Sequence, residues 1–193
     1  MTRGQKLIKR LFDLLLAIVL LIPVSLLIIV LMLICAVETR SNGLYRHARI
    51  GQYGQPFVMY KLRTLKNEPH YLGKLEQSAT RSGKWIRAHK LDELPQLYHV
   101  LTGEMSFVGP RPDVPGFADK LEGADRVILS VKPGITGPAT LKYKHEEQLL
   151  ALQDNPETYN RTIIWPDKVK INKNYAENWS FYLDLDCLLK SLF

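Results

Sequence analysis

A chain of 193 residues with 46% apolar composition can bury one core and leaves little room for a second enzymatic domain beside it. Its formal charge of +7 and pI near 9.4 predict a surface that attracts anions, whether nucleic acid, an acidic membrane face or a phosphorylated substrate. Only Cys35 and Cys187 occur, without paired or metal-ligand spacing, which argues against a disulfide framework or a zinc site and for a reducing compartment.

The first predicted element is a membrane helix. Leu14 to Val37 carry no charge over about 24 residues, enough at about 1.5 Å per residue to cross a bilayer core. The run is too long for a signal-peptide core and no small-residue cleavage site follows it. Arg3, Lys6, Lys9 and Arg10 precede it and Arg40, Arg46 and Arg49 follow it, so both flanks are basic. Lysine and arginine concentrate on the cytoplasmic side, so this symmetry favours two ends on one face. Pro23 removes a backbone donor mid-helix and can bend it. A re-entrant helix satisfies both observations, and a simple spanning anchor with a proline kink is the alternative. Asp13, three residues after Arg10, is placed to pair with it across one turn.

After the turn-rich junction at 39–43, Leu44 to Ile50 and Phe57 to Arg63 read as a β-hairpin around a Gly51–Pro56 loop. Alternation puts Lys61 and Arg63 on one strand face, as an anion site or as charges that protect an edge. Lys66 to Ser82 read as a polar loop that orders around a ligand. Leu94, Leu97, Tyr98 and Leu101 then fall at the spacing of a buried helical face, in a helix that starts near Asp92 because Pro95 is tolerated only in a first turn. Two loops of fixed shape follow, Val108-Gly109-Pro110-Arg111-Pro112 and Val131-Lys132-Pro133-Gly134-Ile135-Thr136-Gly137-Pro138. Glu146 to Leu152 and Pro166 to Glu177 read as helices. The C-terminal stripe Phe181, Leu185, Leu188, Leu189, Leu192 suits core packing or the membrane interface. The fold class expected is α+β and mostly helical. Residues 1–40 form the membrane-inserted helix, and 41–193 a compact domain with a short hairpin and interfacial amphipathic helices.

Asp92 at a helix start has an ordinary explanation as a cap. The same place also favours anions, and two adjacent acids invite a cation; a magnesium ion shared by Asp92, Glu93 and a diphosphate suits hard oxygen ligands. Lys61, Arg63, Arg87 and Arg111 are the candidate phosphate-binding cations, since guanidinium groups grip phosphate with two prongs. In a chain with 26 basic residues, each has a solvated-surface reading as well.

The motifs Lys9-Arg10-x-x-Asp13, Tyr60-Lys61-Leu62-Arg63-Thr64, Leu91 to Leu97, Met105 to Pro112 and Lys132 to Gly137 occur in an order that resembles the bacterial sugar transferases, in their minimal monotopic form. The resemblance covers nearly the whole chain. It implies transfer of a sugar 1-phosphate from a UDP-sugar to undecaprenyl phosphate with release of UMP, the initiating step of capsule, O-antigen, exopolysaccharide or glycoprotein glycan assembly. It implies Asp92 as the nucleophile that carries the phosphosugar, Glu93 as a magnesium ligand or an aid to the second step, and Mg2+ as cofactor. Arg111 would hold phosphate in a loop shaped by Gly109, Pro110, Pro112, Pro133, Gly134, Thr136 and Gly137. Arg10, Asp13, Pro23 and Ser25 would set the anchor, re-entrant at the bacterial inner membrane with the catalytic domain on the cytoplasmic face and downstream glycan-assembly enzymes as further partners. The family commonly has Ser-Pro at the bend, whereas here Pro23 precedes Ser25, and Pro138 to Tyr143 also depart from its pattern. The sugar, the final glycan and the oligomeric state stay open.

Nucleic acid is not an expected partner, because no helix-turn-helix or stacking platform accompanies the charge. A metal-dependent diphosphate hydrolase and a noncatalytic membrane scaffold are the competing readings.

Overall fold

The computed structural model describes residues 1–68, 71, 72, 75 and 77–192, with the side chain of 192 outside the description. Part of the expected Lys66–Ser82 loop and the side chain of Leu192, the last member of the C-terminal stripe, therefore lie outside the description. The chain is mostly helical with a short hairpin, as its α+β patterning implied.

Helix α1 spans Arg3–Thr39. Thr2 starts it with a reciprocal capping box to Gln5, and Arg40 ends it in the left-handed region at φ 48°. Pro23 lies inside, on an exposed stretch, where Ser25 Oγ donates to the Ile22 carbonyl at 2.9 Å. One face of α1 turns inward along its length, at Lys9, Asp13 and Ala17 and again at Leu31, Cys35 and Thr39. The opposite face is bare apolar surface, with Leu15, Val19, Ile22, Leu26, Leu33 and Val37 all exposed.

Strands β1 (Leu44–Ile50) and β2 (Pro56–Leu62) pair antiparallel, in register from Leu44 opposite Leu62 to Ile50 opposite Pro56. Helix α2 (Arg81–Ala88) begins inside the segment expected to be loop, because Thr80 accepts from the Gly83 N–H and caps it. Helix α3 spans Gln96–Thr102. Its buried face is Gln96, Leu97, His99 and Val100, while Tyr98, expected inside, is 50% exposed and stacks on Tyr60. The inward face is shifted because α3 packs against both α1 and the hairpin.

Strands β3 (Ser106–Val108) and β4 (Gly134–Thr136) form a parallel pair within segments whose glycines and prolines predict loop. Five α-helices follow among the described residues, α4 (Pro138–Lys142), α5 (Glu146–Ala151), α6 (Pro156–Tyr159), α7 (Trp165–Glu177) and α8 (Phe181–Leu192), with a π-helical turn at Asn160–Ile164 joining α6 to α7. The main core joins Ala17 of α1 to Met59, Leu97, Val100, Met105, Val108, Tyr175 and Trp179. A second core sets Leu31 and Cys35 of α1 against Leu62 and Ile86. The stripe of α8 divides: Phe181 and Leu188 pack on the main core, whereas Tyr182, Leu185 and Leu189 stay exposed. Both cysteines are buried free thiols.

Candidate active site

Three pieces of backbone meet around Asp92 and Glu93. The chain leaves α2, turns at Lys90 with φ 57°, and enters a single 3-10 turn over Leu91–Glu93. A left-handed lysine costs on the order of 1 kcal/mol or more, strain of the kind that collects at functional sites. Asp92 does not cap α3, which starts after Pro95 without a side-chain cap. The capping explanation for this aspartate therefore falls away.

The second piece is β2, which delivers Lys61; its ammonium donates to Glu93 Oε1 at 2.8 Å. The third is the loop after β3, which delivers Arg111; its guanidinium reaches both carboxylate oxygens of Glu93, with Nη1 donating to Oε2 at 3.3 Å and Nη2 to Oε1. That loop has one shape because glycines let two chains touch. A Cβ on Gly109 would strike the Lys132 carbonyl, one on Gly134 would strike the Gly109 nitrogen, and one on Gly137 would strike the Gly109 carbonyl. Ladder bonds fix the crossing: Gly134 N donates to Pro110 O at 2.8 Å, Ser106 N to Pro133 O at 2.9 Å and Gly109 N to Thr136 O at 2.9 Å. Thr136 also ties its hydroxyl to Ser191 of α8 at 2.7 Å. Pro112 is buried, and its carbonyl accepts from Arg49 at 3.3 Å.

The two acids are shifted in opposite directions. Burial raises the Glu93 carboxyl, but Arg111 and Lys61 together outweigh it and hold Glu93 well below the usual carboxylate range. Asp92 is 5% exposed and, among the described residues, makes none of the hydrogen bonds or ion pairs that hold its neighbour. Burial pushes it up, against the more distant pull of Lys61 and Arg87 and with Glu93 adding to the rise. A saturated carboxylate thus lies beside an open one, the kind of divergence that separates roles in paired-acid sites.

Of the other expected cations, Arg87 pairs with Glu147 of α5 at 2.8 Å, and its charge still reaches Asp92. Arg63 does not join the site. It lies one residue beyond β2, donates Nε to the Asn42 carbonyl at 2.8 Å and covers the Tyr45 ring. Arg10 does not pair with Asp13 either. It crosses to α3 and donates to the Val100 and Leu101 carbonyls at 2.6 and 2.8 Å, while Asp13 accepts from Ser106 Oγ and the Phe107 N–H, each at 3.1 Å. The exposed carbonyls of a helix C-terminus attract a guanidinium, and a buried carboxylate takes the donors nearest it.

A two-carboxylate magnesium cage does not fit this geometry, because both Glu93 oxygens already receive cationic donors. No group of three or more His, Cys, Asp or Glu positioned to hold a metal occurs among the described residues. Asp92 alone remains able to share a hard cation with phosphate oxygens, which matches the few-carboxylate habit of magnesium.

Two residues of this neighbourhood escaped the sequence reading. Arg49 shares a hairpin face with Lys61, and carrying the register Tyr45 opposite Lys61 two steps along the strand would have found it. His99 sits wholly inside α3, with both ring nitrogens engaged.

A family model described as bacterial sugar transferase matches residues 4–193. The chain is 35% identical over 184 residues to the uncharacterized sugar transferase EpsL of Bacillus subtilis, covering 94% of this chain and 83% of that protein. It is 31% identical over 196 residues to the UDP-glucose:undecaprenyl-phosphate glucose-1-phosphate transferase of Klebsiella pneumoniae, with 96% of this chain and 39% of that one covered. It is 32% identical over 214 residues to the undecaprenyl-phosphate galactose phosphotransferase of Salmonella typhimurium, with 98% and 40% covered. The chain spans about two-fifths of the length of these last two relatives.

Proposed function

The chain belongs to the bacterial sugar transferase family, and we propose that it moves a sugar 1-phosphate from a UDP-sugar onto undecaprenyl phosphate in the initiating step of a bacterial surface glycan. The observation that carries this reading is the open, buried carboxylate of Asp92 beside a Glu93 clamped by Lys61 and Arg111.

An oxygen of Asp92 attacks the β-phosphorus of the donor. The bond from that phosphorus to the bridging oxygen breaks, UMP leaves with the electron pair, and the phosphosugar stays on Asp92 as an acyl phosphate. An oxygen of the lipid phosphate then attacks the same phosphorus and frees the carboxylate. Splitting the transfer this way lets one preformed site serve two anionic partners in turn. Arg111 and Lys61 keep Glu93 ionised and fixed, and their charge faces the transferring group without reorganising. The charge of Arg87 reaches Asp92, and its partner, Glu147, is itself partly exposed, so this guanidinium is readily handed to a phosphate. Asp92 would be the residue that holds a magnesium ion together with the donor's phosphates, and such an ion would supply further charge neutralisation.

Membrane attachment follows from α1. Its N-terminal part docks through Arg10, Asp13 and Lys9, the last on Asp184 of α8; its C-terminal part docks through Leu31, Cys35 and Glu38, whose carboxylate accepts from Ser82. Ends held by one folded domain cannot lie on opposite sides of a bilayer. The bare apolar face of α1 therefore enters from one side, with the exposed Tyr182, Leu185 and Leu189 of α8 beside the docked N-terminal part. The basic flanks support the cytoplasm as that side. Cysteines introduced at Thr2 and Ser41 should label from the same side of sealed vesicles; labelling from opposite sides overturns the topology.

For the chemistry, the purified chain is incubated with magnesium and a panel of UDP-sugars. UMP release, a phosphosugar mass adduct on Asp92 and its discharge by undecaprenyl phosphate are expected. Release of UDP in place of UMP, or inorganic phosphate without an adduct, overturns the mechanism.

A further inference from the structure

His99 is 1% exposed on α3, and it bonds both β2, which delivers Lys61 to Glu93, and the residue before β3, whose following loop delivers Arg111. Its Nε2 accepts the Tyr60 backbone N–H at 3.1 Å, one residue before Lys61. Its Nδ1 faces Glu104 at 2.8 Å. An Nε2 that accepts and a carboxylate that can only accept leave one consistent arrangement, a neutral ring with its proton on Nδ1. The ring is clasped on three sides, by Tyr60 at 4.9 Å, Phe57 at 5.5 Å and Tyr98 at 5.6 Å between centroids. The main-chain carbonyl of the same residue accepts the Met105 N–H at 3.0 Å, at the entry to β3, whose far end leads to Arg111.

Resting on the proposed transfer reaction, we propose that His99 is a positioning residue: its ring pins β2 beside Lys61, its carbonyl pins the entry to β3, and together they set the separation of the two cations on Glu93. A backbone N–H in mid-strand that bonds a side chain of a neighbouring helix locks strand to helix at that residue. A loosened strand would let the Lys61 ammonium drift from Glu93, and misplacements of about 1 Å near a reacting centre cost on the order of a hundredfold in rate.

The test compares the full chain in detergent, as wild type, His99→Gln and His99→Leu, for kcat and KM of UMP release and for hydrogen exchange at the Tyr60 amide. The glutamine amide oxygen can take the place of Nε2 as acceptor, whereas leucine fills the space without accepting. Leucine should lower kcat about 10- to 100-fold with the UDP-sugar KM within about threefold, and should lose protection at Tyr60. Glutamine should keep that protection and restore kcat to within about threefold of wild type. Unchanged kcat in the leucine variant overturns the inference, as does equal impairment of both variants with Tyr60 protected in both. If the leucine variant does not fold, the glutamine variant decides: protection with activity sustains the inference, and activity without protection overturns it. If wild type releases no UMP from any UDP-sugar, the transfer reading fails. Tyr60 exchange then decides alone: protection lost in leucine and kept in glutamine sustains the contact, and protection kept in leucine overturns it.

Discussion

Two regions of this molecule bury charge, and they treat it in opposite ways. Where α1 docks, the buried Asp184 accepts from Lys9, from the Tyr175 hydroxyl at 2.6 Å and from the Trp179 indole at 3.1 Å. Asp13 nearby takes two donors of its own. In the candidate active site Glu93 is treated in the same way, but Asp92, itself buried, has no such partner among the described residues. A fully satisfied buried carboxylate is architecture, because its bonds are complete and any change is a loss. An unsatisfied one beside a saturated neighbour is available to react.

The sharpest way to break this comparison is to neutralise one acid in each region. Asp92→Asn should abolish adduct formation and lower UMP release on the order of a thousandfold or more, with little change in the unfolding midpoint, because no bond is lost. Asp184→Asn should do the reverse. It leaves the Lys9 ammonium buried without its counter-charge, which costs about 3–5 kcal/mol, while kcat per folded molecule stays within about threefold. Urea unfolding alongside the UMP assay separates the two. If Asp92→Asn lowers stability as much as Asp184→Asn does, Asp92 is architecture as well and the contrast fails.

How much of this was legible in sequence follows the same division. The acid pair, Lys61 and Arg111 were legible because short motifs carry their own local geometry: a proline that bars an earlier helix start, and glycines where chains cross. The three glycines at 109, 134 and 137 need close backbone contact, so their loops have a fixed shape whatever surrounds them. The hairpin was legible from alternation, with its bounds set to within a residue. Arg63 was misplaced because alternation gives a face and not an endpoint, and the strand stops at Leu62. Tyr98 was misplaced because helical spacing marks an apolar face without saying which neighbours cover it. Lys9 and Asp184 lie 175 residues apart, and nothing local joins them. Arg10 was assigned to the nearest acid, whereas the fold offered it two helix-end carbonyls. The satisfied, long-range half of the buried charge was therefore the half that sequence could not supply.

The smallest expected effect tests the same contrast at the edge of the site. Asp113 follows Pro112, its backbone carbonyl accepts from the Ile50 N–H at 2.9 Å, and burial pushes its carboxyl up to about 6 against the pull of Lys168 and Arg49. A folded-state value raised above the ordinary 3.8 means that the folded chain holds this proton more tightly than the unfolded chain does. The resulting stabilisation is complete below 3.8 and is lost as pH rises through about 6. Asp113→Asn stays neutral throughout and keeps it. The variant should match wild type in thermal midpoint near pH 3.5 and exceed it above pH 7, by about 1 kcal/mol, since the full shift is an upper bound for a group that retains some contact with water. A variant less stable than wild type above pH 7 would mean that Lys168 and Arg49 satisfy Asp113 as Lys9 satisfies Asp184. Asp92 would then be the exception within its own site, and the openness of that one carboxylate would carry the functional argument alone.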